Sequence, residues 1–245
     1  MSPSITLAVA GRVLIQLRRD HRTLVMLLLL PTLLMALLWW MFKDSPVIAF
    51  NRIGPGLLAI FPFFIMFLVT SVTTLRERSG GTLERLLAMP MGKLDFLLGY
   101  AIAFGLTAAV QSALAVAVSV GLLGMDVVGP VWLLTVVAVA DAVLGTALGL
   151  FVSAFARTEF QAVQFMPAVV VPQILLCGLL VPRDRLPDVL GAISDVLPLS
   201  YAVDAMTTLT TSTDTGEVWR NLGIVAVFVV AVLAAGAATL RRRTA

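Results

Sequence analysis

Residues 76–95 read Arg-Glu-Arg-Ser-Gly-Gly-Thr-Leu-Glu-Arg-Leu-Leu-Ala-Met-Pro-Met-Gly-Lys-Leu-Asp and stand between two long apolar runs, 53–75 and 96–123. A charged connector between two such runs decides the fold class, because a helix needs about 20 apolar residues to cross about 30 Å of hydrocarbon. Within the connector, Gly80-Gly81 interrupts the backbone and Thr82 is placed to cap a helix. Pro90 and Gly92 end that helix at Met89. Leu83, Leu86 and Leu87 share one face of 82–89, with Glu84 and Arg85 off it. The pattern predicts a short amphipathic helix at the membrane surface that shows its polar face to a partner in water. The other reading is a connecting loop whose charges only hold topology.

The composition agrees with a membrane setting. Of 245 residues, 60% are hydrophobic and 13% charged, which excludes an ordinary soluble domain. Six spans are predicted, near 23–42, 53–75, 96–123, 130–156, 160–181 and 221–240, in a single transmembrane domain covering 1–245. The pI near 9.6 does not indicate nucleic-acid binding, because the basic residues sit at span ends. Segments 1–22, 76–95, 157 and 241–243 hold 12 of the 17 basic residues and the remaining segments hold 5. The positive-inside rule therefore predicts that 76–95 and both termini are cytoplasmic. The first apolar run is too long for the core of a signal peptide, so no cleavable leader is expected.

Residues 1–22 are predicted to form an interfacial helix. Ile5, Leu7, Val9, Val13, Leu14 and Leu17 lie to one side, and Arg12, Arg18, Arg19 and Arg22 to the other. Residues 182–200 are too short and polar to span, yet Leu186, Val189, Leu190, Ile193 and Leu197 recur at helical spacing. They predict a short helix dipping into the outer leaflet, followed by a threonine-rich external loop at 207–217. Pro31, Pro62, Pro167 and Pro172 fall inside spans, and the last two predict a kinked fifth span.

Two segments carry a family resemblance. Glu77, Gly81-Thr82-Leu83-Glu84, Leu86 and Pro90 resemble the E-x-x-x-G-T-L-E-x-L-x-x-x-P segment of ABC type-2 transporter permeases. Gly178-Leu-Leu-Val-Pro182, Leu186-Pro187 and Leu197-Pro198-Leu-Ser-Tyr201 are similar to a G-x-x-x-P, L-P, P-x-x-Y segment of the same family. The resemblance implies that 76–95 couples the membrane chain to an ATP-hydrolysing subunit. Glu77, Gly81, Thr82, Leu83, Glu84, Arg85, Leu86 and Leu87 would then form the coupling site. It also implies that Pro182, Pro187, Pro198 and Tyr201 belong to re-entrant helices between the fifth and sixth spans. A second permease subunit, identical or related, is implied, as are hydrophobic or amphiphilic substrates such as drugs, antibiotics or lipids, and a bacterial plasma membrane. The fold expected is thus all-α: six spans, an N-terminal interfacial helix, a cytoplasmic coupling helix and re-entrant helices.

The chain offers little chemistry of its own. Gly92-Lys93 is followed by Leu94, so no phosphate-binding loop is present, and ATP and Mg are expected only on the partner subunit. No cofactor or metal is expected in this chain, which has one histidine, His21, and one cysteine, Cys177. Asp141 is the one ionisable residue deep in a predicted span, with Gln111, Gln164 and Gln173 as intramembrane polar groups. The preferred reading of Asp141 is a hydrogen-bonded structural residue holding two helices, with Asn tolerated there better than Leu. Gly145-Thr-Ala-Leu-Gly149 permits close helix approach. Phe61, Phe63, Phe64 and Phe67 either face lipid or contact an apolar substrate. An ion-coupled secondary transporter would need intramembrane charges in two related halves. A membrane-embedded lipid enzyme would need catalytic groups that the chain does not display.

Overall fold

The computed structural model describes residues 2–45, 50–80, 92–156 and 158–239. Among the described residues the elements are helical and no strand occurs. They are α1 (Pro3–Arg19), α2 (His21–Phe42), α3 (Phe50–Ser79), α4 (Lys93–Gly121) and α5 (Val131–Ser153). After α6 (Glu159–Leu176) come a 3-10 turn at Arg183–Arg185, α7 (Asp188–Val196), α8 (Pro198–Thr211) and α9 (Gly216–Thr239). Six of these, α2, α3, α4, α5, α6 and α9, are long and apolar enough to cross a membrane. The predicted class and span count hold, with ends moved by a few residues: the fifth span stops at Leu176 rather than 181, and the last begins at Gly216 rather than 221.

Local chemistry sets the breaks. Asp20 separates α1 from α2 by capping the latter, its Oδ1 accepting from Thr23 N at 3.1 Å and its Oδ2 from the Thr23 hydroxyl at 2.6 Å. Thr158 caps α6 in the same way, accepting from Gln161 N at 3.1 Å. The helix α6 continues through both Pro167 and Pro172. Pro198 begins α8, where its missing N–H is no loss.

The bundle is built around α3 and α5. Of the most apolar stretch of each, 67% is buried within the chain, against 17% for α2, 17% for α6 and 11% for α9. Those three helices turn apolar side chains such as Leu33, Val171 and Val227 outward. The spacing between α3 and α5 is set by Gly145 and Gly149. A Cβ at Gly145 would lie 2.3 Å from the Phe63 carbonyl oxygen, and one at Gly149 would lie 2.5 Å from that of Phe67. The small-residue pair is thus used inside the chain. Phe63 and Phe67 are fully buried core residues packed beneath it, turned away from the bundle surface.

The end of the bundle that carries α1, the last turn of α3 and the start of α4 is the near end, and the opposite one the far end. Two findings differ from the sequence expectation. Residues Thr207–Thr211, read as loop, are the last turns of α8, because Val203, Met206 and Leu209 bury against the core and carry the helix onward. The helices α7 and α8 meet at 92°, and helical structure after Pro182 runs to Thr211 rather than ending near 200. The exposed Val189, Ile193 and Val196 of α7 leave its apolar side uncovered by the described residues.

Candidate functional site

Gly81, Thr82, Leu83, Glu84, Arg85, Leu86 and Leu87 of the predicted coupling helix lie outside the described residues. Their flanks are described, and both are tied to α1. On one side, Glu77 in the last turns of α3 has a side chain only 10% exposed. Its Oε1 accepts from Gln16 Nε2 at 3.1 Å and its Oε2 lies 3.4 Å from Arg12 Nη2. The same Arg12 Nη2 donates to the Tyr100 hydroxyl at 2.8 Å. On the other side, Asp95 at the start of α4 accepts at Oδ1 from Ser2 N at 2.9 Å and from the Thr6 hydroxyl at 3.1 Å. Its Oδ2 accepts from Gly92 N at 3.0 Å, closing the first turn of α4.

This alters the expected picture of α1. Arg12 turns inward to Glu77 and Tyr100 and does not join a basic outer face. The packed side is Thr6, Val9, Ala10 and Val13, while Leu7 and Ile15 are exposed. Arg12 lies next to Val13 in sequence, on the edge of the apolar stripe, where one residue of rotation decides whether it points in or out. Its partner lies 65 positions away, so local periodicity could not find it. Also at the near end, Arg76 makes a two-pronged contact with Glu159, at 2.9 and 3.0 Å, joining α3 to α6. Asp20 stays a carboxylate: the Thr23 hydroxyl, and then its N–H, hold it below the usual carboxylate range.

At the far end, Pro182, Pro187 and Pro198 mark the starts of the 3-10 turn, α7 and α8. Arg183, which the sequence reading did not single out, is the centre of this region. Its guanidinium pairs with Asp195 and Asp204 and lies 5.0 Å above the Tyr201 ring. The Tyr201 hydroxyl donates to the Asp195 carbonyl at 2.7 Å. Gly178, with φ +95, turns the chain so that Arg183 can fold back over it. Arginine and aspartates within about twenty residues were the available signal, since such charges cannot stay unpaired beside apolar helices.

The intramembrane polar residues part company. Gln173 joins α6 to the start of α8, donating to the Val169 carbonyl at 3.2 Å and accepting from Leu199 N at 3.3 Å. Gln164 is exposed on the outward side of α6. Gln111 and Asp141 are fully buried, and no hydrogen-bond partner among the described residues reaches either amide atom or either carboxyl oxygen. The expected pairing of Asp141 across helices is therefore not found among the described residues. An unsatisfied buried polar group costs about 1–3 kcal/mol, and removing it without changing volume releases that cost. Asp141→Val is accordingly expected to melt at the same temperature as Asp141→Asn or higher. A markedly lower midpoint for the valine variant would reveal a hydrogen bond to the carboxyl.

The site and the bundle define a polytopic α-helical membrane protein with one amphipathic helix strapped to its near end and a sharply bent helix pair at its far end. The family model described as ABC-2 type transporter matches residues 5–210, and the chain belongs to that family. It is 28% identical over 167 residues to the probable multidrug ABC transporter permease YbhS of Escherichia coli (strain K12), covering 68% of this chain and 44% of that protein. It is similar to the inner membrane transport permease YhhJ of the same organism, 28% over 151 residues, covering 60% and 40%. It also resembles ABC transporter G family member 20 of Dictyostelium discoideum, 27% over 154 residues, covering 63% and 21%. The matched stretches make up less than half the length of these relatives.

Proposed function

We propose that the chain is the membrane subunit of an ATP-driven exporter of hydrophobic or amphiphilic compounds. It would work with a second permease subunit and with separate ATPase subunits that bind ATP and Mg. The observation that carries this reading is the double tie of 76–95 to α1. Glu77 at one flank and Asp95 at the other are bonded to the same short helix. A push on the connector would move the near ends of α3 and α4 together with α1, as a coupling element must. The basic bias of this end favours the cytoplasmic side, where ATP is found. The weakly buried α2 and α6, with Gln164 on the outward side of the latter, offer a face for the second subunit. The printed name of YbhS supports drug-like substrates by analogy alone.

The test is direct. Glu84→Ala and Arg85→Ala should each weaken capture of the cognate ATPase. The loss should be about 1–3 kcal/mol, or roughly fivefold to 150-fold in affinity, because a charged contact in a docking groove is partly desolvated. Transport and substrate-stimulated hydrolysis should fall together, while Asp214→Ala, in the α8–α9 connection, should change neither. Normal capture and transport in both connector variants would remove the reading.

A further inference from the structure

The helix α1 has two apolar sides, and the described residues cover one of them. Thr6, Val9, Ala10 and Val13 pack inward, while Leu7 and Ile15 are 62% and 55% exposed. Leu7, Gly11, Ile15 and Arg18 follow one another at helical spacing along the outward side. A Cβ built at Gly11 meets nothing within 4 Å, so no described residue approaches the middle of that side. The pattern resumes after the break at Asp20. In α2, Arg22 heads an outward row whose first apolar members are Val25 and Leu29, both exposed. Arg18, Arg19 and Arg22 are themselves exposed. The corner where α1 meets α2 thus carries arginines beside uncovered apolar side chains.

The acids described at the near end are engaged elsewhere. Glu77 is met by Gln16 and Arg12, and Glu159 by Arg76. Asp95 is met by Ser2, Thr6 and Gly92. Asp20, the nearest in sequence, accepts from Thr23 with both oxygens and lines the cleft beneath α1 beside Arg76. Arg18, Arg19 and Arg22 make no ion pair and no side-chain hydrogen bond among the described residues. Three arginines against Asp20 leave the corner two positive charges within residues 18–22. Guanidinium groups next to exposed apolar side chains are the pattern of a helix at the boundary between headgroups and acyl chains. A phosphate accepts the paired N–H groups of a guanidinium, and anionic lipids concentrate basic segments at the membrane surface. An acidic protein surface would match the charge but leave Leu7, Ile15 and Val25 in water.

We infer that the outward side of α1 and the first turns of α2 seat an anionic phospholipid of the near leaflet. Its phosphate rests on Arg18, Arg19 and Arg22, and its acyl chains lie against Ile15, Val25 and Leu29. The seat takes only the opening turns of α2, and Leu33, Leu37 and Trp40 further along stay free for a second subunit. The lipid is joined through α1 to both flanks of the connector, since α1 also holds Glu77 and its N-terminus holds Asp95. Binding requires neither an ATPase nor transport.

The experiment titrates the full chain in a non-ionic detergent with phosphatidylglycerol or phosphatidylcholine and counts bound lipids by native mass spectrometry. Phosphatidylglycerol should bind first and more tightly. Its preference over phosphatidylcholine should fall about fivefold in each of Arg18→Gln, Arg19→Gln and Arg22→Gln, the factor for one basic residue at an anionic surface. Lysine at the same three positions should keep most of the preference, because the charge remains. Arg52→Gln, exposed at the far end, should leave it unchanged. A phosphatidylglycerol with photoreactive acyl chains should label residues 15–29 of the unsubstituted chain in nanodiscs, which locates the seat even where a variant fails to insert. Equal constants for the two lipids, labelling confined to other segments, or displacement of the label by inorganic phosphate would each overturn the inference. So would an unchanged lipid preference in the glutamine variants together with lost capture of the ATPase, which would assign the arginines to a protein partner.

Discussion

Gly145→Leu should prevent the two central helices from seating, leaving a chain without a cooperative melting transition in detergent. Even the smallest substitution is informative. A Cβ at this position meets the Phe63 carbonyl oxygen at 2.3 Å, the carbonyl carbon at 3.0 Å and the Cα at 3.1 Å. All three are backbone atoms of a long helix, so none can swing aside as a side-chain tip would. Gly145→Ala should then lose about 1–3 kcal/mol to overpacking, less the 0.5–1 kcal/mol or so that alanine regains in a helix. Larger side chains must push α3 and α5 apart along their length, and a domain with about 5–15 kcal/mol of stability cannot absorb much of that. Gly149→Ala should behave alike, since its Cβ would meet the Phe67 oxygen at 2.5 Å. The pair should be less than additive, because the first substitution already opens the contact that the second would strain. Gly223→Ala in α9, where nothing lies within 4 Å of a built Cβ, is the control and should be neutral or slightly stabilising. Equal melting temperatures for the Gly145 and Gly223 variants would mean that α3 and α5 do not approach as described.

Replacing Arg183 with leucine should loosen the bent α7–α8 pair. The guanidinium is 19% exposed and its partner Asp204 is 36% exposed, whereas Asp195 is 68% exposed. Removing one member of a buried pair is expensive and removing one of an exposed pair is nearly free. This site lies between those limits, so Arg183→Leu should cost about 1–3 kcal/mol, with a further 0.5–1 kcal/mol or so from lost contact with the Tyr201 ring. Asp204→Ala should approach that effect and Asp195→Ala should fall well short of it. Cys177 provides an independent reading. It is fully buried just before Gly178, at the root of the segment that Arg183 folds over. A membrane-permeant maleimide should label it slowly in the parent and faster once Arg183 is gone. A larger loss from Asp195→Ala than from Asp204→Ala, with labelling unchanged, would mean that the exposed arm of the pair carries the contact.

The sequence determined the membrane fold, because the bilayer leaves no choice. Runs of about twenty apolar residues can satisfy their backbone only as helices, so composition alone counted six spans and placed their connectors. The amphipathic residues after Pro182 and the family pattern at 76–90 were legible for the same reason: each is a local pattern. The tertiary structure decided which apolar surface meets which. A strongly apolar helix is apolar on every side, so periodicity could not say that Phe63 and Phe67 face α5 or that Gly145 and Gly149 meet them. Nor could it extend α8 through Thr211, since four threonines in five residues read as loop until the burial of Met206 and Leu209 holds them helical. The polar ties were hidden by distance along the chain. Arg12 finds Glu77 and Ser2 finds Asp95 only when helices far apart in sequence are brought alongside. Each of those choices depends on the free energy of removing charge from water beside an apolar bundle, which the packed structure sets and the order of residues does not.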